Sequence, residues 1–380
     1  MPVETFDAAI IGGGLIGAAI AFELAGENLR VALFDKQEPG REASWAAAGM
    51  LSPAPDGPAA LPLVPLAKQS LRLYPQFVEA VESASGQTTD YEFKEVLHLF
   101  FAPEDERDRD ALVWEYGALG IAAEPLEAAA ARKMENSIGS LVHSAALLRE
   151  AVVDPRLLTQ AVLAAAGARG VAIRAGTKVT RLLRVGAKCA GVAAGGEEIQ
   201  ARHVIVAAGS FSASISGGDG DFARYAPTVP VRGQMLALRA EGLRLRHVVR
   251  SHRGYLVPRR DSRIIAGSTL EDAGFAKLVT PEGVRKIREA SIEMIPALAK
   301  AEIVERWAGL RPGSPDELPI LGPTDIEGLL IATGHYRNGI LLAPVTAKLV
   351  REWVVLGKTS LDAKVFSPLR FTASQSAHPR

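Results

Sequence analysis

Three glycines and one aspartate carry the first chemistry that can be read from this chain. Gly12, Gly14 and Gly17 stand in the order G-x-G-x-x-G, and Asp35 follows at about the 20-residue spacing of dinucleotide-binding units. Each residue type has a use there. Gly12 suits a tight turn out of a strand, Gly14 lets a pyrophosphate approach the backbone, and Gly17 lets a helix pack close to the sheet. Free N–H groups at a helix start favour phosphate, and a carboxylate at the tip of the next strand can accept the hydroxyls of a ribose. The alternative is a glycine-rich turn with a packing role alone.

The elements that must position these residues are legible around them. Residues 8–11 form an apolar run that suits a buried parallel strand. Ile16, Ala19, Ile20 and Leu24 recur at helical spacing, and residues 31–34 supply a second strand ending at Asp35. A secretory signal or membrane helix is the rival for residues 8–25. However, Glu4 and Asp7 precede the run with no Lys or Arg, Glu23 interrupts it, and no cleavage pattern follows. No other stretch is long and apolar enough to span a bilayer. The expectation is a soluble, cytoplasmic protein that makes no membrane contact.

Bulk properties narrow the classes further. A chain of 380 residues accommodates two domains. Lys plus Arg and Asp plus Glu number 43 each, so the net charge is zero, which argues against a general polyanion binder. The arginine-rich stretch 244–263 could serve nucleic acid, but Leu245, Val248, Tyr255 and Val257 alternate with its charges as in a sheet solvated on one face. No nucleic-acid partner is expected. Cys189 is the only cysteine, so the chain can form no internal disulfide, and the seven histidines show no metal-binding spacing. No metal is expected.

Farther along, residues 41–55 are rich in small residues, which suit close approach of backbone to a ligand or a flexible loop. Helical spacing marks 66–83, 105–118, 125–134 and 281–298, and Asp154–Pro155 starts another helix. Strands are expected at 91–102, 171–174, 177–183, 190–194, 201–208 and 329–333, with an antiparallel sheet over 229–263. Cys189 falls between two of these strands. Residues 216–221 read as a linker, 340–355 as a helix and 373–380 as a disordered tail. The strand ending at Ala208 and Gly209 belongs beside the first one, so the nucleotide domain is expected to be discontinuous.

Taken in order, the motifs resemble a known family. They are the glycine turn, AAAGML (46–51), VDPRLL (153–158), VIVAAGS (204–210), GYLVPRRDSRIIAGSTLE (254–271), WAGLRPGSPDELPILGP (307–323) and ATGHYRNGILLAP (332–344). The chain is similar over residues 7–371 to FAD-dependent amine oxidases of the D-amino-acid oxidase group, and within it to the glycine-oxidising branch that serves thiamine biosynthesis. The resemblance implies an α/β fold. A doubly wound, Rossmann-like FAD-binding domain (1–85, 151–225 and 311–372) joins a discontinuous α+β substrate domain on a mixed or antiparallel sheet (86–150 and 226–310). It implies non-covalent FAD, a small amino acid and O2 as reactants, and a homo-oligomer, by analogy a tetramer.

The resemblance also assigns roles. Arg311 matches a carboxylate-binding arginine; a surface pair with Asp316 or Glu317 is the alternative. Tyr255 matches an active-site tyrosine that bonds the same carboxylate, or is an amphipathic residue at a sheet edge. Arg337 matches a second active-site arginine, or supports the flavin loop. Met50 and Leu270 match pocket-lining positions, or are core; the branch commonly has methionine where Leu270 stands. Gly12, Gly14 and Gly17 would cradle the pyrophosphate and Asp35 the ribose. Ser44, Ala48 and Gly49 would meet the phosphates and the flavin, and the Val179 backbone would meet adenine, with Ala208 and Gly209 closing the site. Backbone N–H groups of Asn338, Gly339, Ile340 and Leu341 would face the flavin from a helix start, with His335 shaping the turn. The expected reaction is hydride transfer from a neutral amine to flavin N5, with O2 reduced to H2O2. A sarcosine-type oxidase and a quinone-linked D-amino-acid dehydrogenase are the neighbouring alternatives.

Overall fold

The apolar run near the N-terminus forms a buried strand, β1 (Thr5–Ile11), and the glycine turn leads into α1 (Leu15–Gly26). The computed structural model describes residues 4–54, 57–217 and 222–372. Part of the expected linker (218–221) and the expected tail (373–380) lie outside them. After β2 (Val31–Phe34), all four of whose residues are buried, come α2 (Ala43–Ala46), β3 (Met50–Leu51) and α3 (Val64–Ser85). Next are β4 (Glu92–Phe100), α4 (Glu106–Ala118), β5 (Ala123–Glu127), α5 (Ala128–Met134) and β6 (Ser144–Val152). The Asp154 carboxylate accepts from the N–H groups of Arg156 and Leu157 and so caps α6 (Pro155–Ala168). The strands β7 (Ala172–Arg174), β8 (Val179–Val185), β9 (Lys188–Ala194) and β10 (Glu197–Val206) follow. The chain then forms β11 (Val229–Arg239), β12 (Val248–Ser251), β13 (Gly254–Pro258), β14 (Ile264–Gly267) and α7 (Pro281–Met294). It ends with β15 (Glu302–Gly313), β16 (Ile320–Pro323), β17 (Leu329–Thr333) and α8 (Gly339–Leu356).

Two sheets organise these elements. The first runs β16-β17-β10-β1-β2-β7, with β9 pairing β10 and β8 pairing β9. Its centre is parallel: β10 and β2 flank β1, and β17 flanks β10. Ile11 and Val206 are register partners, so the turns after β1 and β10 open side by side at the carboxyl edge, where open α/β sheets bind ligands. The second sheet runs β15-β11-β14-β13-β12-β4-β6-β3, with β5 on β6. It is antiparallel except where β12 meets β4.

Three local expectations need correction. Residues 125–127 are strand, because β5 pairs with β6, and the helix starts only at Ala128; pairing overrides the helix-favouring composition. Cys189 lies within β9 and is buried. Residues 302–313, absent from the expected strands, form the 12-residue strand β15, and Arg311 stands near its end. Pro312 pairs with Pro230. Arg232, two residues on, exchanges both backbone bonds with Glu271 on the other side of β11. Pro230 therefore shares its rung type, one that needs no N–H donor between β11 and β15.

The start of α8 depends on α3. Pro344 lies inside α8 and has no N–H to give to Ile340. The buried Tyr74 hydroxyl donates to that carbonyl at 2.7 Å instead. The Ser70 hydroxyl donates to Leu341 O at 2.6 Å and accepts from Val345 N. Side chains of α3 thus satisfy carbonyls that Pro344 and its neighbours disturb.

Candidate functional site

A cavity of about 900 Å3 runs from the glycine turn to the face of the second sheet. It is lined by Gly12, Gly14, Asp35, Ser44, Ala48, Gly49, Met50, Val179, Ala208, Gly209, Tyr255, Arg311, His335, Arg337, Asn338, Gly339 and Ile340. Seventeen of the twenty expected site residues therefore meet on one cavity. The other three do not line it. Gly17 faces Gly12: a Cβ there would overlap the Gly12 carbonyl oxygen, so its role is helix-to-turn packing. Leu341 is buried in the core behind the helix start. The Leu270 side chain is 61 % exposed and turned to solvent, so the structure does not support its place in the pocket wall.

At one end the cavity presents backbone. Gly12 adopts φ +109°, and a Cβ on it would overlap the Ala207 carbonyl at the end of β10. Gly14 is the N-cap of α1 and has no side-chain cap; a Cβ there would meet only the Ser44 hydroxyl, at 3.4 Å, so the space in front of it is open. The Leu15 N–H donates to Ser44 Oγ at 3.0 Å, which leaves the serine proton to donate elsewhere. The Asp35 carboxylate accepts from Gly13 N at 2.8 Å and Gln37 N at 3.0 Å. It ties the turn to the tip of β2, and each oxygen retains a lone pair toward the cavity. Burial raises its pKa, against those two hydrogen bonds. Lys36, 3.0 Å over the Phe211 ring, and Lys178 also line this end. Sequence reading passed over both; Lys36 is signalled only by its place after the strand-tip acid.

The other end presents side chains from one sheet face. Register places Met235, Gly267, Tyr255, Arg250 and His98 in one row across β11, β14, β13, β12 and β4. Directly paired residues project to the same side, and four of these five line the cavity. The Tyr255 hydroxyl donates to Met235 Sδ at 3.3 Å. Arg311 pairs with Val231, four residues from Met235 along β11, and lies flat over Gly233, where any Cβ would overlap its Nη1. It donates to Ser268 Oγ at 2.8 Å and to Thr269 O at 3.2 Å. Among the described residues no carboxylate pairs with it. Asp316, the expected surface partner, is held instead by Arg370 at 2.8 and 3.0 Å. Tyr336 N donates to Pro312 O at 3.0 Å, so the turn carrying Arg337 is fastened to Arg311's own strand.

Four residues at this end were not foreseen. Arg250 donates to His98 Nδ1 (3.1 Å), Glu150 Oε1 (3.2 Å) and the Tyr116 hydroxyl (2.7 Å). Burial, then the Arg250 cation, lowers the His98 pKa to about 3, so its ring is neutral and Nδ1 is the acceptor. These residues lie far apart in sequence, and only the β12–β4 pairing reveals the group. Two arginines of the 244–263 stretch, Arg250 and Arg259, thus point inward. At the turn into α8, His335 is buried, with Nε2 3.0 Å from Thr346 Oγ1 and its pKa lowered to about 3 by burial. It shapes the turn as a neutral ring.

Residues 7–353 match the DAO family of FAD-dependent oxidoreductases. The chain belongs to that family. It is 33% identical to glycine oxidase of Pseudomonas aeruginosa over 94% of its own length and 97% of that protein's. It is 34% identical to the bifunctional protein ThiO/ThiG of Trichormus variabilis over 99% of its own length and 56% of that one's. The chain therefore spans about half the length of the bifunctional relatives and nearly all of the single-function one. The crystal structure of glycine oxidase from Geobacillus kaustophilus superposes with a TM-score of 0.89 at 31% identity, covering 97% of this chain and 99% of that one.

FAD is the cofactor, and the cavity fits it. An open glycine cradle at a helix start, a strand-tip carboxylate and a second, uncapped helix start at α8 lie along one continuous space. Cys189, buried in β9, does not line that space, so no thiol is available there for covalent attachment. No helix among the described residues is long and apolar enough to cross a membrane.

Proposed function

We propose that the chain oxidises glycine and similarly small amino acids at the Arg311 end of the cavity, with O2 as the final electron acceptor. The observation that carries this reading is the state of Arg311. Its guanidinium is aimed by Gly233 and Ser268, and it is paired with no carboxylate of the described protein. Such a group is suited to a planar two-point grip on a substrate carboxylate. The likeness to glycine oxidases supports the same substrate.

In this reading Arg311 anchors the carboxylate and the Tyr255 hydroxyl exchanges its weak bond to Met235 for one to the same group. Arg337 closes the site from the α8 turn, and Met50 limits its size. Bound FAD would supply the two-electron oxidising power for the Cα–H bond, and the amine would reach its neutral form by losing a proton to water. Alignment of the Cα–H is the task left to the protein. The uncapped N–H groups of Gly339 and Ile340, with the α8 dipole, favour negative charge in the cavity before them. Toward the cofactor's phosphates and ribose, Gly12, Gly14, Ser44 and Asp35 take the parts described above, and Val179, Ala208 and Gly209 flank the adenosine side.

We further propose that the first sheet with its helices forms the FAD lobe and the second sheet the substrate lobe, with the boundary after Gly313, because β15 is continuous across 310–311. The family likeness also favours a cytoplasmic homo-oligomer serving thiamine biosynthesis, and light scattering of the purified holoprotein tests the assembly. The deciding experiment for the reaction is an anaerobic panel of glycine, sarcosine, D-alanine and D-proline, followed by the visible flavin absorbance. Bleaching by glycine and return of colour with H2O2 on admission of air are expected. Faster bleaching by sarcosine alone would give the chain to the N-methyl substrate, and no bleaching by any of the four would end the proposal.

A further inference from the structure

The strap between α2 and β3 is held from behind by donors that belong to three distant elements. The Arg156 Nε donates to Trp45 O at 3.2 Å, while its two Nη groups grip Glu305 at 2.8 and 2.7 Å and its guanidinium stacks on Trp45 and Trp307. The Trp307 indole donates to Ala46 O at 3.2 Å. The Arg259 guanidinium donates to Ala48 O at 2.6 Å and to Val153 O at 3.3 Å. Gly49 O is taken by Val153 N at 3.0 Å. The carbonyls of residues 45, 46, 48 and 49 are thus all occupied on the side away from the cavity.

The amides have the opposite fate. Among the described residues no protein group accepts from the N–H of Ala48 or Gly49, and both residues line the cavity. Gly49 sits at φ +80°, and a Cβ on it would overlap Val153 O, so the strap also runs too close to β6 for any other residue. Buried amides without partners are rare, because each carries the cost of an unmade hydrogen bond. Two of them in adjacent residues that line one cavity point to a ligand that accepts.

Arg259 itself is unusual. Its side chain is 7 % exposed, with Asp154 Oδ2 at 3.5 Å from Nε, and burial lowers its pKa. A buried cation and its counter-ion are a weak source of stability, since an apolar pair of the same volume often does as well. What an apolar residue cannot do is give hydrogen bonds to two carbonyls at once. We propose that Arg259 is a positioning residue for the bound FAD: by holding Ala48 O and Val153 O it turns the Ala48 and Gly49 amides into the cavity. It works with Trp307 and Arg156, and it joins the motif 153–158 to the motif 46–51, for which the oxidation itself provides no link.

The test uses Arg259→Met and Arg259→Lys. Each variant is freed of flavin and titrated with FAD, and the visible spectrum of the reconstituted protein is recorded. Arg259→Met is expected to weaken FAD binding about tenfold or more, the effect of leaving buried carbonyls without donors, and to shift the visible flavin bands. Lysine, which retains the charge and donors, recovers part of both. Parental affinity and an unaltered spectrum in both variants would overturn the proposal. So would weaker binding with no spectral change, because that result describes a lobe loosened elsewhere. If Arg259→Met does not fold, Trp307→Phe decides, since it removes one donor to the same strap from a half-buried ring. The same two signatures, smaller, support the proposal, and parental values for both overturn it. Neither readout depends on which amine is oxidised.

Discussion

The two ends of the cavity bind by different means. The glycine end uses backbone: amides of a turn and a helix start, brought within reach because Gly12, Gly14 and Gly17 carry no side chains. The Arg311 end uses side chains, most of them from separate strands of one sheet face, with Arg337 added from the turn before α8. At the first end a substitution acts by adding atoms where none fit. At the second it acts by removing a partner or moving one. The first end is therefore intolerant and general, as suits a common cofactor, while the second can be retuned residue by residue.

That contrast can be broken or sharpened by four measurements. The largest effect belongs to Gly12→Ala, whose Cβ would overlap the Ala207 carbonyl at a φ that non-glycine residues avoid. Strain and overlap together are expected to weaken FAD binding by at least about a hundredfold, giving a colourless preparation. A yellow protein with ordinary FAD affinity would remove the steric half of the comparison. Next is Arg311→Ala. Loss of a charged, two-point partner should lower kcat/KM for glycine by about a hundredfold or more, with FAD binding unchanged. A matching loss of FAD would show that the two ends are not separable.

Gly233→Ala tests whether Arg311 is aimed from below. A methyl group there would displace the guanidinium without removing it. A rise in the glycine KM of about tenfold, roughly 1.4 kcal/mol, is expected with FAD retained. An unchanged KM would mean that the arginine finds its carboxylate by another route. The fourth measurement concerns stability rather than binding and involves two histidines. His98 and His335 have folded pKa values of about 3, set chiefly by burial, against about 6.5 when unfolded. Below pH 6.5 the unfolded chain takes up the protons and the folded one does not, so stability falls with pH from there toward pH 3. By pH 5 each ring costs about 2 kcal/mol. Urea unfolding at pH 7 and pH 5 should show the loss, and His335→Gln should reduce it; an equal loss in that variant would contradict the assignment.

The same contrast explains what could be read from the sequence. The glycine end is contiguous from Asp7 to Asp35, so strand, turn, helix and acid identify one another. Two details still needed the structure: Gly17 packs against the turn without lining the cavity, and Asp35 braces the turn as well as lining the cavity. The sheet end was partly hidden. Arg311, Tyr255 and Arg337 were marked by resemblance to family motifs, but Gly309, Pro312 and Gly313 disguised the strand that carries Arg311. Proline is expected to end a strand, and only its pairing with Pro230 shows why it is tolerated. Arg250, His98, Tyr116 and Glu150 could not be joined from a linear pattern, because the parallel meeting of β12 and β4 brings them together. Leu270 erred in the other direction: the motif position matched, yet its side chain turns to solvent.

Pro344 leaves a last lesson for anyone who would redesign this protein for heat resistance. Tyr74 and Ser70 look like ordinary interior positions, far from any reactant and open to repacking with phenylalanine or alanine. Their hydroxyls nevertheless complete the opening turn of the helix whose start lines the cavity. A denser, oilier interior gained at those two positions would therefore leave dry carbonyls at the threshold of the chemistry, and a more heat-stable variant could emerge as a poorer catalyst.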